Sequence, residues 1–161
     1  MEGIPILMGK YSVTMDLWPQ QDELFNRIHP FYRHLREGRF TTTRCNGCGH
    51  VAFPPRVVCP ECLGDDLAWV DLPTEGTVEI FTEEVVGVPL GFEPAPLFHA
   101  LITLGDYRMF VRLINVEPGS LREGDTVRLA VFDVPAEPAD VGREQVEFPR
   151  VFYAFEPAAG A

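Results

Sequence analysis

Three observations predict a mainly β protein stapled by a metal. Four cysteines fall in two close pairs, short alternating strands separated by turn signals fill the second half, and helical periodicity is confined to the stretch before Gly38. All four cysteines of the 161-residue chain lie in Cys45-Asn46-Gly47-Cys48 and Cys59-Pro60-Glu61-Cys62, ten residues apart. Two thiolates at this spacing sit on one tight turn and reach one ion. A second such turn closes a tetrahedron of four sulfurs, the geometry of a structural zinc. Iron in the same four-sulfur site is the alternative metal. Gly49 can take φ > 0 and so aim backbone N–H groups at the sulfurs, and Pro60 stiffens the second turn. Leu63 stands where a glycine is expected, and Gly64 comes one residue late. Two disulfides or a redox Cys-x2-Cys are weaker readings, because redox motifs come singly and no secretory pattern supports disulfides.

Met1 to Trp18 is irregular or weakly strand-like, with Tyr11-Ser12-Val13-Thr14-Met15 its most β-favouring run. Pro19 to Glu37 is expected to be helical, with acids in its first turn and Leu24, Phe25 and Ile28 on one apolar face. Pro30 interrupts it and suits the start of a second helix bearing Phe31, Tyr32 and Leu35, which Gly38 caps. Strands are expected at Arg39 to Arg44 and Val51 to Phe53 around the first cysteine pair, as in a zinc ribbon. A piece this small draws much of its folding energy from the metal. Further strands are expected at Trp69 to Leu72, Gly76 to Val86, Phe98 to Leu104, Tyr107 to Val116, Thr126 to Val134 and Arg150 to Phe155. In the second of these, Val78, Ile80 and Thr82 are expected to share a face against Glu79, Phe81 and Glu83. Gly105-Asp106 makes a hairpin turn, Pro89 to Pro96 a loop, and Ala136 to Val146 a surface excursion. About five strands without an intervening helix point to a five-stranded OB-type barrel, with an SH3-like barrel or small sandwich as the alternative. The domains expected are an arm with helices over 1–38, a ribbon over 39–70 and the barrel with its tail over 71–161.

Charge and absences narrow the function. The net charge is −11, which opposes a phosphate-backbone binder. Yet the segment from Arg27 to Arg56 holds six arginines and Glu37, near +5, so the remainder is near −16. That segment reads as a solvated face or as a patch for an acidic partner or ligand phosphates. The two serines, Ser12 and Ser120, lie in no nucleophile pattern, and the cysteines are consumed by the ribbon. No phosphate-binding glycine loop is present. A closed four-sulfur zinc has no open position for water. His50 lies close to the ribbon and could replace a cysteine, though four already suffice, and His99 reads as a structural residue. No catalytic residue is therefore expected in this chain. The run Ile4 to Met8 is short, contains Pro5 and precedes Lys10, unlike a signal peptide, and no run of about 18 apolar residues would span a membrane. The cytoplasm is the expected compartment.

Gly38-Arg39-Phe40, Arg44-Cys45-x-x-Cys48-Gly49, Phe53-Pro54-Pro55-Arg56, Cys59-Pro60-x-Cys62, Trp69, Gly76-Thr77-Val78 and Glu123-Gly124-Asp125-x-Val127 follow in this order. From about Pro30 to Pro157 this resembles the acyl-CoA-associated proteins that join a rubredoxin-like zinc ribbon to an OB-fold. The resemblance implies a non-catalytic accessory subunit beside a thiolase-fold catalytic partner that supplies the missing cysteine, in CoA-thioester thiolysis or Claisen chemistry. The thiolysis of 2-benzoylsuccinyl-CoA in anaerobic toluene degradation is one reaction it admits. It implies zinc at Cys45, Cys48, Cys59 and Cys62, and a coenzyme A thioester as the ligand of the complex. Arg44, Phe53, Pro54, Pro55 and Arg56 become the residues expected to face the partner or the CoA phosphates. In some relatives the partner is an acyl-CoA hydratase or lyase. The rival reading is a nucleic-acid-binding ribbon and barrel, which the acidic charge opposes.

Overall fold

The computed structural model describes residues 21–23, 26–85, 96–141 and 144–158, with the backbone alone at 134–149. The expected N-terminal arm, Leu24 and Phe25, and most of the Pro89 to Pro96 loop lie outside the described residues. The expected helix is shorter where it is described. One turn, closed by Asn26 N–H to the Asp22 carbonyl at 3.0 Å, precedes α1 over His29–Arg36. Pro30 sits in the first turn of α1, where its missing N–H costs nothing. At the other end Gly38 takes φ +74°. Its N–H meets the Leu35 carbonyl at 2.9 Å while Arg39 N–H meets the His34 carbonyl at 2.8 Å, a Schellman cap. Phe31, His34 and Leu35 are the buried face.

The ribbon is a three-stranded sheet of order β2-β1-β3, built from β1 (Thr41–Cys45), β2 (Val51–Ala52) and β3 (Leu67–Asp71). Thr41, Thr42 and Thr43 are all buried, which is possible because each hydroxyl has a partner. Thr41 Oγ1 lies 3.0 Å from His34 Nδ1, Thr42 donates to the Ala52 carbonyl, and Thr43 Oγ1 accepts from Arg56 N–H at 2.9 Å. The Thr43 bond fixes the Phe53-Pro54-Pro55-Arg56 segment against β1. The Phe53–Pro54 peptide within it is cis.

The barrel runs β4-β5-β6-β8-β7 and closes on itself, as the five-strand pattern predicts. Its strands are β4 (Glu75–Glu84), β5 (Leu97–Leu104), β6 (Tyr107–Leu113), β7 (Thr126–Val141) and β8 (Glu144–Pro157). Leu104 pairs with Tyr107 across the predicted two-residue turn, with Gly105 at φ +62°. Gly76 permits closure: a Cβ there would sit 2.7 Å from the Thr103 carbonyl oxygen. The core gathers Val78, Ile102, Leu104, Val111, Val127 and Phe155, each under 5% exposed.

Two expectations are corrected. Val78 pairs with Ile102 and Ile80 with Leu101, so a β-bulge at Glu79 breaks the alternation. Val78 is 2% exposed but Ile80 is 58% exposed, and Phe81, opposite Ala100, turns inward instead. The bulge lets β4 coil around the barrel and releases Glu79 to pair with Arg108 and Thr103 on the outer face. The second correction is to the strand ends expected at Val134 and Arg150, which run on into the excursion expected over Ala136 to Val146. That segment continues β7 and β8 as a paired ribbon out to Val141 opposite Glu144.

An aromatic cluster joins helix, ribbon and barrel. Phe40 has its ring centroid 5.1 Å from Tyr153, 5.4 Å from Phe53 and 5.9 Å from Phe155. Phe31 adds an edge-on contact to Tyr153 at 5.9 Å, and His34 meets Trp69 edge-on at 5.4 Å. The Gln21 side chain completes the join. Its Nε2 donates to the Val151 carbonyl and its Oε1 accepts from Val151 N–H, both at 2.8 Å.

Candidate metal centre and neighbouring groove

The two knuckles are built alike. Cys45 N–H meets the His50 carbonyl at 2.8 Å and Gly49 N–H meets the Cys45 carbonyl at 2.9 Å. In the second knuckle Cys59 N–H meets the Gly64 carbonyl at 2.8 Å and Leu63 N–H meets the Cys59 carbonyl at 3.0 Å. Gly49 at φ +77° and Leu63 at φ +61° are the matching positions, so the missing glycine leaves a leucine in left-handed backbone. These turns bring all four sulfurs within 4.8 Å of one another. Cys45 to Cys62 and Cys48 to Cys59 are each 3.5 Å, far beyond a disulfide of about 2.05 Å. A tetrahedron of metal–sulfur bonds of roughly 2.3 Å has edges of about 3.8 Å, so the cluster fits a four-coordinate cation.

The electrostatics agree. The N–H of Cys48, more than any other group, holds the Cys45 thiol down to about 7. At Cys48 the strongest single influence is the His50 N–H, which favours the thiolate. The Cys59 thiol, burial and the other two thiols outweigh it and push Cys48 up to about 12. Four sulfurs this close cannot all ionise on their own, and a divalent cation among them removes that conflict. His50 contributes its backbone and is not one of the four ligands.

The segment between the knuckles divides by role. Phe53 packs into the aromatic cluster, Pro55 is buried, and Arg44, Pro54 and Arg56 are exposed. Arg39, from the same basic stretch, is taken up by a two-pronged pair with Asp71 at 2.9 and 3.0 Å. Phe53, Pro54 and Pro55 also form one wall of an apolar groove of about 260 Å³. Ile28, just before α1, and Phe31, Tyr32 and Leu35 of α1 form another wall, and Phe110, Arg112, Phe132 and Phe152 of the barrel complete it. Nearby, the described pairing of β6 with β8 is at Leu113 and Phe155. These lining residues come from segments far apart in the chain. Phe53, Pro54 and Pro55 were expected on a contact surface, and among the lining residues not singled out in the sequence Phe110 carried a signal, as an aromatic alternating with the inward Met109 and Val111. It is 66% exposed and stacks on His99 at 5.5 Å with 7° between the rings. Burial, then Arg112, lowers the His99 pKa, which keeps the imidazole neutral beneath that ring.

A four-sulfur knuckle pair joined to a five-stranded closed barrel defines a zinc-ribbon/OB-fold protein. Two family models match in tandem: the ChsH2 rubredoxin-like zinc ribbon domain over residues 33–68 and the ChsH2 C-terminal OB-fold domain over 69–133. The chain belongs to this ChsH2-type family, also described as DUF35. It is 33% identical to a DUF35 domain-containing scaffold protein of Methanocaldococcus jannaschii over 116 residues, which is 69% of this chain and 80% of that one. It is 32% identical to the benzoylsuccinyl-CoA thiolase subunit BbsA of Thauera aromatica over 88 residues, 55% of this chain and 60% of the relative. Among solved structures, the Ltp2-ChsH2(DUF35) aldolase superposes with a TM-score of 0.59 at 22% identity. The match covers 84% of this chain and 98% of that one, a likeness of fold.

Proposed function

We propose that this chain is a non-catalytic, zinc-binding accessory subunit of a thiolase-type complex that converts acyl-CoA. The convergence of all four cysteines on one closed cluster carries the reading. Thioester chemistry that runs through a cysteine then needs a thiol from another chain, and a thiolase-fold partner supplies one. The likeness to a thiolase subunit and to scaffold proteins supports the same assignment. The printed name of an aldolase partner in a structural neighbour keeps a lyase as the second class of catalytic partner. Zinc is the proposed ion because a closed set of four sulfurs suits a structural tetrahedral metal. Its thiolates suit the reducing cytoplasm, and no helix among the described residues is long and apolar enough to cross a membrane.

In this role the metal holds Arg44 and Arg56 outward on a fixed surface, where they face the partner or the phosphates of CoA. Co-purification of tagged protein from its native host tests the assignment. A thiolase-fold chain in fixed ratio, whose activity falls when this subunit is stripped away, is the expected result. 2-Benzoylsuccinyl-CoA is the first thioester to assay. A lone protein that leaves thiolase and lyase activities unchanged refutes it. In the reconstituted complex, Arg44→Ala and Arg56→Ala should weaken assembly or raise the KM for CoA. No change in either would show both arginines merely solvated.

A further inference from the structure

The four cysteines differ in what solvent can reach. Cys45 and Cys59 are 2% and 1% exposed, whereas Cys48 and Cys62 are exposed. Each knuckle therefore has a covered cysteine, its first, and an open one, its second. Two sulfur–sulfur contacts of 3.5 Å, Cys45 to Cys62 and Cys48 to Cys59, both run between the knuckles. Each joins an exposed cysteine to a buried one. The two pairs are nested, with separations of 17 and 11 residues, so both can close without crossing.

Reversible thiol oxidation needs this arrangement. An oxidant must reach one sulfur, and a second thiolate must stand close enough to resolve the product before it is oxidised further. A metal held by the four cysteines would keep all of them as thiolates, the nucleophilic form. In a reducing compartment, disulfides formed this way are transient and act as redox sensors.

We infer that the knuckle pair is a peroxide-sensitive modification site, in which Cys48 and Cys62 take the oxidant and Cys59 and Cys45 resolve it as disulfides between the knuckles. The Cys62 thiolate attacks one oxygen of hydrogen peroxide. A sulfur–oxygen bond forms, the oxygen–oxygen bond breaks, and the leaving hydroxide takes a proton to become water. The Cys45 thiolate then attacks the Cys62 sulfur. The sulfur–sulfur bond forms, the sulfur–oxygen bond breaks, and a second hydroxide leaves and is protonated. Two electrons pass from the two sulfurs to the peroxide. Cys48 and Cys59 repeat the sequence with a second peroxide. Disulfide sulfurs are no longer thiolate ligands, so the ion leaves while two cross-links keep the knuckles joined. A thiol reductant with added zinc returns the metal form. This chemistry rests on the proposed metal site and is independent of the accessory role.

Peroxide treatment of the full-length chain, quenched with N-ethylmaleimide and digested with trypsin, tests the pairing. Trypsin cuts after Arg44, Arg56 and Arg108, so one knuckle lies on the peptide 45–56 and the other on 57–108. Bonds between knuckles join these two peptides, and bonds within knuckles leave them apart. Cleavage between Asn46 and Gly47 and after Glu61 then separates the cysteines of each knuckle and identifies the partners. The expected products are Cys45 bound to Cys62 and Cys48 bound to Cys59, with zinc released to a chromogenic chelator in step. A dione trap for sulfenic acid, present during a brief exposure, should label Cys48 and Cys62 and leave Cys45 and Cys59 unlabelled. Dithiothreitol and zinc should restore the starting mass and metal content. Disulfides confined to separate peptides overturn the proposal. So does label on Cys45 or Cys59, or cysteines that stay reduced under peroxide that oxidises free cysteine. Metal analysis before treatment keeps the two readings apart. Untreated protein without a bound ion refutes the metal site, and the disulfide map still decides the pairing.

Discussion

Leu63 and Gly49 occupy equivalent positions in two turns of the same shape, and only one is a residue suited to it. A side chain in left-handed backbone costs roughly 1–2 kcal/mol, and glycine removes that cost while adding some unfolded-state entropy. Leu63 is 78% exposed, so shortening it forfeits little packing. Leu63→Gly should therefore stabilise the protein by roughly 0.5 kcal/mol, read as a higher denaturant midpoint at unchanged slope. A lower midpoint would show that the leucine makes a contact worth more than the strain. Tyr153 gives a second residue-scale expectation. Its burial raises the phenol from about 10 to about 12. The folded pKa lies above the unfolded one, so the stabilisation is whole below pH 10 and is lost as pH rises through 12. Roughly 2–3 kcal/mol is at stake. Denaturation followed from pH 8 to 12 should show this loss, and Tyr153→Phe should flatten it. An unchanged profile in the variant would assign the alkaline transition to another group.

Elements whose signals are local were legible in the sequence. Gly38 ends α1 and Gly105-Asp106 turns β5 into β6 because left-handed backbone there calls for a residue without Cβ. The cysteine spacing likewise carries its own geometry to the four-sulfur cluster. Features set by closure of the barrel were not legible. The bulge at Glu79 exists to curve β4, and nothing between Val78 and Ile80 announces it. The groove needs α1, Pro55, Phe110 and Phe152 at once. Phe53 shows the same limit, since its place between two knuckles suggested a surface contact. Its ring lies 5.4 Å from Phe40 and 6.3 Å from Tyr153, so it ties ribbon to barrel while still lining the groove. Phe53→Ala should cost roughly 3 kcal/mol through lost burial and ring contacts. The loss should appear in equilibrium unfolding with the metal still bound. A cost below about 0.5 kcal/mol would mean that the ribbon is held to the barrel without that ring.

Across the whole molecule, two bodies of unequal self-sufficiency share one aromatic joint. The barrel encloses its own apolar core around Val78, Ile102, Leu104, Val127 and Phe155. The ribbon has three strands of five, two and five residues, and three of its interior positions in β1 are threonines. Apolar burial of that size does little to offset the entropy of ordering two knuckles, and a metal held by the four cysteines would supply the difference. Chelation should then divide an unfolding transition that is single when the metal is bound. Trp69 reports on the ribbon, because its ring sits against His34 at the junction with α1. In a Trp18→Phe background its fluorescence should respond to a strong chelator at low denaturant, while most of the strand signal in circular dichroism persists to a higher concentration. Metal analysis of the starting material should give about one zinc per chain, and returning zinc should merge the two transitions. A single transition at the same midpoint with and without metal would place the ribbon's stability in the Phe31, Phe40, Phe53 and Tyr153 cluster, with the four cysteines contributing as buried side chains alone.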